Sequence, residues 1–305
     1  MNCDIIILGA GPAGLTAALY AKRYGLTPVV LERSIYGGQV VNTPEVENYT
    51  GIKSIGGAEL AMAMFEQVND LGVEVRLEAP TAYHLAGEEK WVETAGGRLT
   101  APAVILANGA KRRLLGCPGE QRLSGKGVSY CATCDGAFYR GRQVAIVGGG
   151  NTALEDALFL ANLCERVHLV HRRDEFRGNK ILSDALTARQ NITVHYDSTV
   201  SEISGQAKVE AIALKHLKTG EATTLPVSGV FVAIGLEPDN AVFGGQLALN
   251  DAGYIVAGED CHTNLPGVYA AGDTRTKTLR QIVTAAADGA QAAFAASNYL
   301  NERAK

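Results

Sequence analysis

The chain has 305 residues, 47% of them apolar, with 28 Lys and Arg against 32 Asp and Glu. This length suffices for about two domains with hydrophobic cores, and the net charge of −4 gives no electrostatic reason to expect nucleic acid or an anionic membrane as a partner. The apolar N-terminus carries Asp4 and is soon broken by glycines, which argues against a signal peptide and a membrane span, so we expect a cytoplasmic protein.

The first predicted elements, within residues 4–34, are a β-strand, a glycine-rich turn, a helix and a second β-strand. Gly9, Gly11 and Gly14 have the spacing G-x-G-x-x-G, and Glu32 ends the second strand. In a dinucleotide-binding βαβ unit such glycines let the backbone approach a pyrophosphate, and the helix N-terminus offers it free N–H groups. The Glu32 carboxylate is then placed to accept hydrogen bonds from ribose hydroxyls. The spacing alone is a weak signal, but with both strands, the helix and the acid it favours a dinucleotide site over a chance turn.

The middle of this first domain has its own pattern. In residues 85–99, LAGEEKWVETAGGRL, residue types alternate on either side of a Gly-Gly turn, as in a hairpin. This pattern predicts a β-meander that covers the sheet. The run AVILANGAKRRLL predicts a buried strand that ends in a glycine loop near residue 109. A second domain is expected to begin after it.

A pair of cysteines follows in the stretch CATCDGAFYRG. Cys131 and Cys134 form a C-x-x-C, and no second C-x-x-C or H-x-x-x-H supplies the further ligands of a zinc site, so we expect no metal. A dithiol that alternates with a disulfide is the better interpretation, because a helix N-terminus at such a motif stabilises a thiolate. Asp135 is a candidate proton carrier or, alternatively, a helix-terminal charge. The remaining four are expected to be buried or incidental: Cys3, Cys117, Cys164 and Cys261.

A shift of 139 residues brings a second copy of the first pattern, VAIVGGGNTALEDALFLANLCERVHLVHRRD. Gly148 and Gly150 repeat Gly9 and Gly11, Ala153 stands where Gly14 was, and His171 replaces Glu32. Three arginines follow: Arg172, Arg173 and Arg177. Because the guanidinium fork suits a phosphate that a carboxylate would repel, the second copy predicts NADPH and the first a dinucleotide without a 2'-phosphate. The alternative is that HRRDEFR is merely a solvated charged loop.

The C-terminal part predicts a short buried strand from about Val268, a turn at Gly272 and Asp273, and a long Ala-rich helix from about Arg280. Asp273 can bind the ribityl side of a flavin, although it can equally be a turn residue. A helix that begins at Gln281 would point its positive end at the flavin ring and favour the negative charge of the reduced form. Two dinucleotide sites in one chain suggest a flavin that takes hydride from a nicotinamide.

These elements predict an α/β fold of two Rossmann-like domains, with an NADPH domain inserted into a split FAD domain. The predicted FAD domain comprises residues 1–113 and 245–305, and the NADPH domain with the C-x-x-C comprises residues 114–244. Nicotinamide and disulfide each need contact with the flavin ring, and one face of the ring does not serve both at once. We therefore expect the inserted domain to turn relative to the FAD domain about the connections near Arg113 and Gly244.

Taken in order, GAGPAG, YGGQ, VENYTG, CATCDGAFYRG, VGGGNTA, HRRDEFR, AAGD and RQIVTAAADGA make the whole chain resemble the low-molecular-weight bacterial NADPH-dependent thioredoxin reductases. The resemblance implies FAD, NADPH, a homodimer and thioredoxin as substrate. It also implies that Cys134 faces the flavin, Cys131 attacks the disulfide of thioredoxin and Asp135 acts as the acid. Two departures from the usual motifs, Thr50 and Asn108, concern loop packing near the flavin.

The predicted binding residues fall into two sets. Those for FAD are Gly9, Gly11, Gly14, Glu32, Gly38, Gln39, Asn48, Gly272, Asp273, Arg280 and Gln281. Those for NADPH are Gly148, Gly150, Asn151, Thr152, Ala153, His171, Arg172, Arg173 and Arg177.

Three other functions use the same motifs. A flavin-dependent dithiol oxidase would pass electrons from a small dithiol to dioxygen, but it would have little use for the three arginines. The sequence hardly distinguishes a reductase of another thioredoxin-like protein from a thioredoxin reductase. A non-catalytic redox sensor or binding module would not need both cofactor loops and the cysteine pair.

Overall fold

The computed structural model describes residues 3–43 and 45–303 of the chain. The strands are β1 Ile5–Leu8, β2 Pro28–Glu32, β3 Glu74–Leu77, β4 Ala82–His84, β5 Lys90–Thr94, β6 Gly97–Ala101, β7 Ala103–Leu106, β8 Ala110–Arg112, β9 Val128–Ser129, β10 Gln143–Val147, β11 Arg166–Val170, β12 Ile192–His195, β13 Ser198–Ser204, β14 Ala211–His216, β15 Ala222–Pro226, β16 Gly229–Val232, β17 Leu236–Pro238 and β18 Val268–Ala270. The α-helices are α1 Pro12–Arg23, α2 Gly57–Asn69, α3 Ala132–Asp135, α4 Asn151–Ala161, α5 Lys180–Thr187 and α6 Ile282–Arg303.

The chain forms two compact units, and the second is inserted into the first. The first unit holds the residues up to Lys111 and those from Glu237 onward, and the second spans Arg112–Leu236. The sequence placed the return to the first unit at residue 245 instead. The geometry places it earlier because Asn240 donates to the Thr274 carbonyl at 3.0 Å and the Phe243 side chain is buried in an apolar cluster of the first unit.

The first unit is built on a five-stranded parallel sheet in the order β18-β7-β1-β2-β3. Strands β1, β2 and β7 are buried along their whole length, as their continuous apolar sequences predict for a parallel sheet covered on both faces. Helices α1 and α6 cover one face, and the antiparallel sheet β4-β5-β6 covers the other through Leu85, Val92 and Leu99. The predicted meander is therefore confirmed.

The second unit repeats this plan. Its parallel sheet has the order β12-β11-β10-β16-β9, with α4 packed on one face through Leu154 and Leu160. A second antiparallel sheet, β13-β14-β15, packs on the other face through Ile203 and Ile212. The sequence analysis did not predict this second meander. An antiparallel sheet needs only an alternation of apolar and polar residues, so the two meanders of this chain share no motif that would reveal the repeat.

Strand register brings the two predicted motifs to the same edge of each sheet. Leu8 pairs with Leu31, so Gly9 and Glu32, the last residue of β2, lie side by side at the carboxyl end of the sheet. Val147 pairs in the same way with Val170, which places Gly148 beside His171. Since β1 and β10 each lie between strands that diverge in chain order, both edges are topological switch points, where open α/β sheets bind ligands. Within the described residues, no helix is long and apolar enough to cross a membrane.

Candidate active site

The glycine loop of the first unit is packed on one side and open on the other. Gly9 has φ +109°, and a Cβ there would overlap the Ala107 carbonyl. A Cβ on Gly14 would overlap the Gly9 carbonyl, so these two glycines allow helix α1 to approach the strand. Gly11 differs: a Cβ there would meet only the Gly38 Cα, at 4.0 Å. The open side at Gly11 and the helix N-terminus behind it, which has no side-chain cap, fit a pyrophosphate.

Glu32 ends β2 and turns its buried carboxylate back to this loop. Its Oε2 accepts a hydrogen bond from the Ala10 N–H at 2.9 Å, and its Oε1 accepts one from the Ser34 N–H at 2.9 Å. Oε1 also accepts from the Ser34 hydroxyl at 3.3 Å, whereas Oε2 can accept a second bond, so the residue can hold the loop and still receive a ribose hydroxyl. Glu32 is 7% exposed, so the carboxylate is largely shielded from solvent.

A second glycine turn lies against the first loop. Gly37 and Gly38 both have positive φ, +92° and +58°, and lead into a short 3-10 helix at Gly38–Asn42. The Gly37 N–H donates to the Ala10 carbonyl at 2.7 Å, which ties the two turns together. Gln39, the other predicted residue here, is exposed.

The remaining residues predicted for FAD meet at the start of α6. The Asn48 amide donates to the Gln281 side-chain oxygen at 3.0 Å, although the two residues are far apart in the chain. The Arg280 guanidinium lies over the Tyr254 ring at 4.1 Å and donates to the Asp273 carbonyl at 3.4 Å. Arg280 thus braces the Gly272–Thr274 turn that carries the predicted ligand Asp273.

A buried charged cluster supports the same turn, and the sequence did not predict it. Asp288 of α6 accepts from the Gly272 N–H, the Arg275 guanidinium and the Lys277 ammonium, each at 2.8 Å. The Arg275 side chain is 1% exposed and Lys277 5%, so two cations share one buried carboxylate. Glu259 also pairs with Arg275 at 3.2 Å but is exposed. These cations hold the pKa of Asp288 below its ordinary value against the opposing effect of burial.

Asn108, one of the two departures from the family's motifs, joins three segments behind the first glycine loop. Its amide donates to the Asn240 side-chain oxygen at 3.0 Å, and its own oxygen accepts from the Thr274 hydroxyl at 3.1 Å. The Thr274 hydroxyl also lies 2.8 Å from the Asn240 side-chain oxygen, and its single proton serves one of the two amide oxygens at a time. The departure therefore forms a closed polar network instead of disturbing the loop.

The second unit has an equivalent glycine loop. A Cβ on Gly148 would overlap the Ala233 carbonyl, whereas a Cβ on Gly150 would meet nothing within 4 Å. Gly150 precedes α4 as its N-cap residue, again without a side-chain cap. The open position and the free helix terminus fit a second dinucleotide, with Thr152 and Ala153 in the first turn of the helix. The Asn151 side chain holds the segment before α5, since its amide oxygen accepts a hydrogen bond from the Asn179 N–H at 2.7 Å.

The positively charged segment after β11 lies beside this loop. The Arg177 N–H donates to the Gly149 carbonyl at 2.8 Å, and the side chains of Arg172, Arg173 and Arg177 are exposed. Within residues 3–43 and 45–303, none of these three guanidinium groups lies within 4.0 Å of a carboxylate. Their charges are available to a phosphate.

His171 has a different environment from the arginines that follow it. Its ring is 7% exposed, packs beneath Gly149 and bonds the Glu175 carbonyl through Nε2 at 3.0 Å. Burial lowers its pKa below the ordinary value, so the ring is neutral at physiological pH. The structure thus shows His171 supporting the glycine loop and the arginine segment.

The two cysteines form a disulfide at the start of α3, with their Cα atoms 5.3 Å apart. Cys131 is the residue before the helix, and Cys134 lies one turn on; both are half-buried. The other four cysteines are free, and three of them are buried. No group of three His, Cys, Asp or Glu residues able to hold a metal ion occurs in the part of the chain that the structure describes.

Asp135 lies next to this disulfide and is linked to it through Ser129, a residue that sequence reasoning missed. The Ser129 hydroxyl donates to Asp135 Oδ2 at 2.6 Å and accepts from the Cys131 N–H at 3.1 Å. Burial raises the pKa of Asp135, whereas the Ser129 hydrogen bond and the charge of Arg112 oppose this rise. A carboxyl with raised pKa beside a redox-active pair suits proton transfer.

Comparison with known proteins identifies this arrangement. A family model described as pyridine nucleotide-disulphide oxidoreductase matches residues 3–289. The thioredoxin reductase of Peptoclostridium acidaminophilum is 44% identical over 304 residues, which cover 97% of this chain and 96% of the relative. The chain belongs to the thioredoxin reductases of this family. The thioredoxin reductase of Mycolicibacterium smegmatis is 45% identical over 302 residues, covering 98% of this chain and 97% of the relative.

A solved structure supports the membership. The thioredoxin reductase of Streptococcus pyogenes MGAS5005 superposes with a TM-score of 0.93 at 41% identity, covering 99% of both chains. The sequence-based resemblance, the fold of two Rossmann-like domains and the class of flavin- and NADPH-dependent oxidoreductase are thereby confirmed. The roles of individual residues stay predictions.

Proposed function

We propose that this chain is an NADPH-dependent thioredoxin reductase whose Cys131–Cys134 pair carries reducing equivalents to the disulfide of oxidised thioredoxin. The observation that carries the proposal is the Cys131–Cys134 disulfide, linked to half-buried Asp135 in the same unit as a glycine loop flanked by exposed arginines. Membership of the thioredoxin reductases supports the choice of substrate.

The two glycine loops divide the cofactors between them. We assign FAD to the first unit, where the buried Glu32 carboxylate suits ribose hydroxyls and would repel a 2'-phosphate. We assign NADPH to the second, where Arg172, Arg173 and Arg177 offer charge-assisted bonds to that phosphate. Bound FAD supplies a two-electron carrier between nicotinamide and disulfide.

The cysteine chemistry is a thiol-disulfide exchange. In the reduced enzyme, the Cys131 thiolate attacks one sulfur of the substrate disulfide, which forms a mixed disulfide and releases one substrate thiolate. The Cys134 thiolate then attacks Cys131, which restores the Cys131–Cys134 disulfide and releases the second substrate thiolate. Asp135 supplies a proton to a leaving thiolate, a role for which its burial suits it.

Both the nicotinamide loop and the cysteine pair belong to the second unit, whereas the flavin loop belongs to the first. We therefore propose that the second unit turns relative to the first between the two half-reactions, about the segments near Lys111 and Glu237 where the chain passes between them. Crosslinking the two units should stop turnover with thioredoxin. Full turnover in the crosslinked enzyme would refute the turning movement.

We also infer a homodimer and a cytoplasmic location. An exposed aromatic cluster on the first unit, formed by Tyr20, Tyr24 and Phe294, is a candidate dimer surface. The ring centroid of Tyr24 lies 6.3 Å from that of each of the other two, and the three residues are 38%, 42% and 46% exposed. The free Cys3, Cys117, Cys164 and Cys261 favour a reducing compartment. Light scattering of wild-type and Phe294→Glu enzyme tests the dimer.

An assay of the purified, FAD-loaded enzyme with NADPH and a panel of oxidised thioredoxins tests the function. We expect thioredoxin-dependent NADPH oxidation and a flavin absorbance that bleaches with NADPH but much less with NADH. Consumption of dioxygen with a small dithiol, without thioredoxin reduction, would instead identify a dithiol oxidase. Turnover with a different thioredoxin-like protein alone would correct the partner.

A further inference from the structure

Ser129 occupies a defined position between the redox pair and the proton carrier. It ends the short strand β9, is 5% exposed, and lies two residues before Cys131. Its hydroxyl oxygen accepts from the Cys131 N–H at 3.1 Å and donates to Asp135 Oδ2 at 2.6 Å. A second acceptor, the Cys131 carbonyl, lies 3.3 Å from the same oxygen.

A hydroxyl has one proton, so it can serve only one of these two acceptors at a time. While Asp135 is ionised, its carboxylate is the stronger acceptor and receives that proton. Once Asp135 is protonated, its own O–H can donate to the Ser129 oxygen, and the hydroxyl proton is then free to turn to the Cys131 carbonyl. The protonation state of Asp135 therefore decides whether the Ser129 hydroxyl donates to the carboxylate or to the Cys131 carbonyl.

We propose that Ser129 is a positioning residue that holds the Asp135 carboxylate against the backbone of Cys131 and changes hydrogen-bond partner when Asp135 takes up or releases its proton. The inference rests on the proposed function, in which Asp135 carries protons during disulfide exchange. Ser129 acts through Asp135, since its hydroxyl bonds the Asp135 carboxylate and the main chain of Cys131.

The groups that face Asp135 define how its proton affinity responds. Burial raises its pKa, and the Ser129 hydrogen bond and the charge of Arg112 lower it. Burial raises the pKa of Tyr139, in the 3-10 helix that follows, and the charge of the Asp135 carboxylate adds to this rise. Removal of the Ser129 hydroxyl takes away a bond to the charged form, so the pKa of Asp135 must rise further.

The experiment compares four FAD-loaded enzymes, which are wild type, Ser129→Ala, Ser129→Thr, which keeps the hydroxyl, and Ser201→Ala, and it adds Asp135→Asn as a fifth that identifies the pH limb of Asp135. Ser201 is an exposed residue of β13 whose hydroxyl bonds only a main-chain oxygen among the described residues, and it serves as the matched control. Each enzyme is first reduced with NADPH, and the single-turnover rate of thioredoxin reduction is then measured as a function of pH.

One limb of the plot of rate against pH should disappear in Asp135→Asn and thus report the titration of Asp135. In Ser129→Ala we expect the midpoint of this limb to rise by about one pH unit, the effect of losing one hydrogen bond to a charged group. Ser129→Thr should restore the wild-type limb, Ser201→Ala should not move it, and flavin reduction by NADPH should be unchanged in all four. An unshifted limb in Ser129→Ala would overturn the proposal. So would an equal loss of rate at every pH with lower thermal stability, because that outcome describes a purely structural serine. A wild-type enzyme that reduces no thioredoxin would refute the proposed function instead.

Discussion

The two units repeat one scaffold and differ at the carboxyl end of the second strand. In the first unit the buried Glu32 carboxylate accepts main-chain hydrogen bonds from the glycine loop. In the second, the His171 ring packs beneath Gly149, and exposed arginines follow. The glycines therefore determine the shape of both loops, and the predicted difference in ligand, a ribose hydroxyl or a phosphate, depends on the residues at the end of the second strand and just after it.

The units also place their other polar groups differently. The first buries a charged cluster around Asp288 of α6, which supports the Gly272–Thr274 turn. The second carries its disulfide and Asp135 half-exposed on a short helix. A buried network gives rigidity, which suits a tightly held cofactor, and a half-exposed pair gives access, which suits exchange with a protein disulfide.

The largest effect should come from Cys134→Ser, which separates flavin reduction by NADPH from thioredoxin reduction by the cysteine pair. Thioredoxin turnover should fall by at least about 1,000-fold, because the mixed disulfide can no longer be resolved. Flavin reduction by NADPH should persist, since it does not need the pair. Stopped-flow flavin absorbance and a thioredoxin assay measure the two steps; substantial disulfide turnover in this variant would refute the relay.

A pair of glycine substitutions tests the shared loop shape. Gly9→Ala should lower the free energy of unfolding by about 3 kcal/mol, because Gly9 has positive φ and its Cβ would overlap a carbonyl. Gly11→Ala should cost less than about 1 kcal/mol, since the position is open. Urea unfolding of the FAD-free proteins measures both, and equal losses would contradict the packed and open assignment.

Removal of the acidic strand end tests the first unit alone. Glu32→Ala should weaken FAD retention by about 30-fold, a loss of about 2 kcal/mol, because the loop N–H of Ala10 loses its acceptor and the ribose its partner. Glu66→Ala, at an exposed position of α2, is the matched control. Fluorescence titration of the FAD-free proteins with FAD measures the affinity, and unchanged binding in Glu32→Ala would remove this residue from the site.

The smallest expected effect concerns the arginines of the second unit. Arg172→Ala should raise the KM for NADPH about 10-fold and leave that for NADH nearly unchanged, since only a charge-assisted contact to the 2'-phosphate is lost. Arg189→Ala, also exposed and outside the segment, is the control. Steady-state kinetics with NADPH and with NADH measures both KM values. Equal increases in the two KM values would mean that Arg172 does not bind the 2'-phosphate.

Local patterns predicted both βαβ units, the first meander, the C-terminal strand and helix, and a dithiol in place of a metal site. Other features join residues distant in sequence and were not predicted. Asn48 meets Gln281, and Asn108 meets Asn240 and Thr274, only because the strands return to one sheet edge. The position of residues 237–244 was also decided by packing, since Phe243 is buried in the first unit.

The amino-acid sequence by itself determined the two loops, the charge contrast between Glu32 and the arginine segment, and the redox pair, because glycine spacing, charge and thiol chemistry are properties of neighbouring residues. Only the tertiary structure decided that His171 supports a loop, that Asp288 holds two buried cations, and that Ser129 links Asp135 to Cys131. Such hydrogen-bond partners depend on distances and burial, which arise when separate segments pack together.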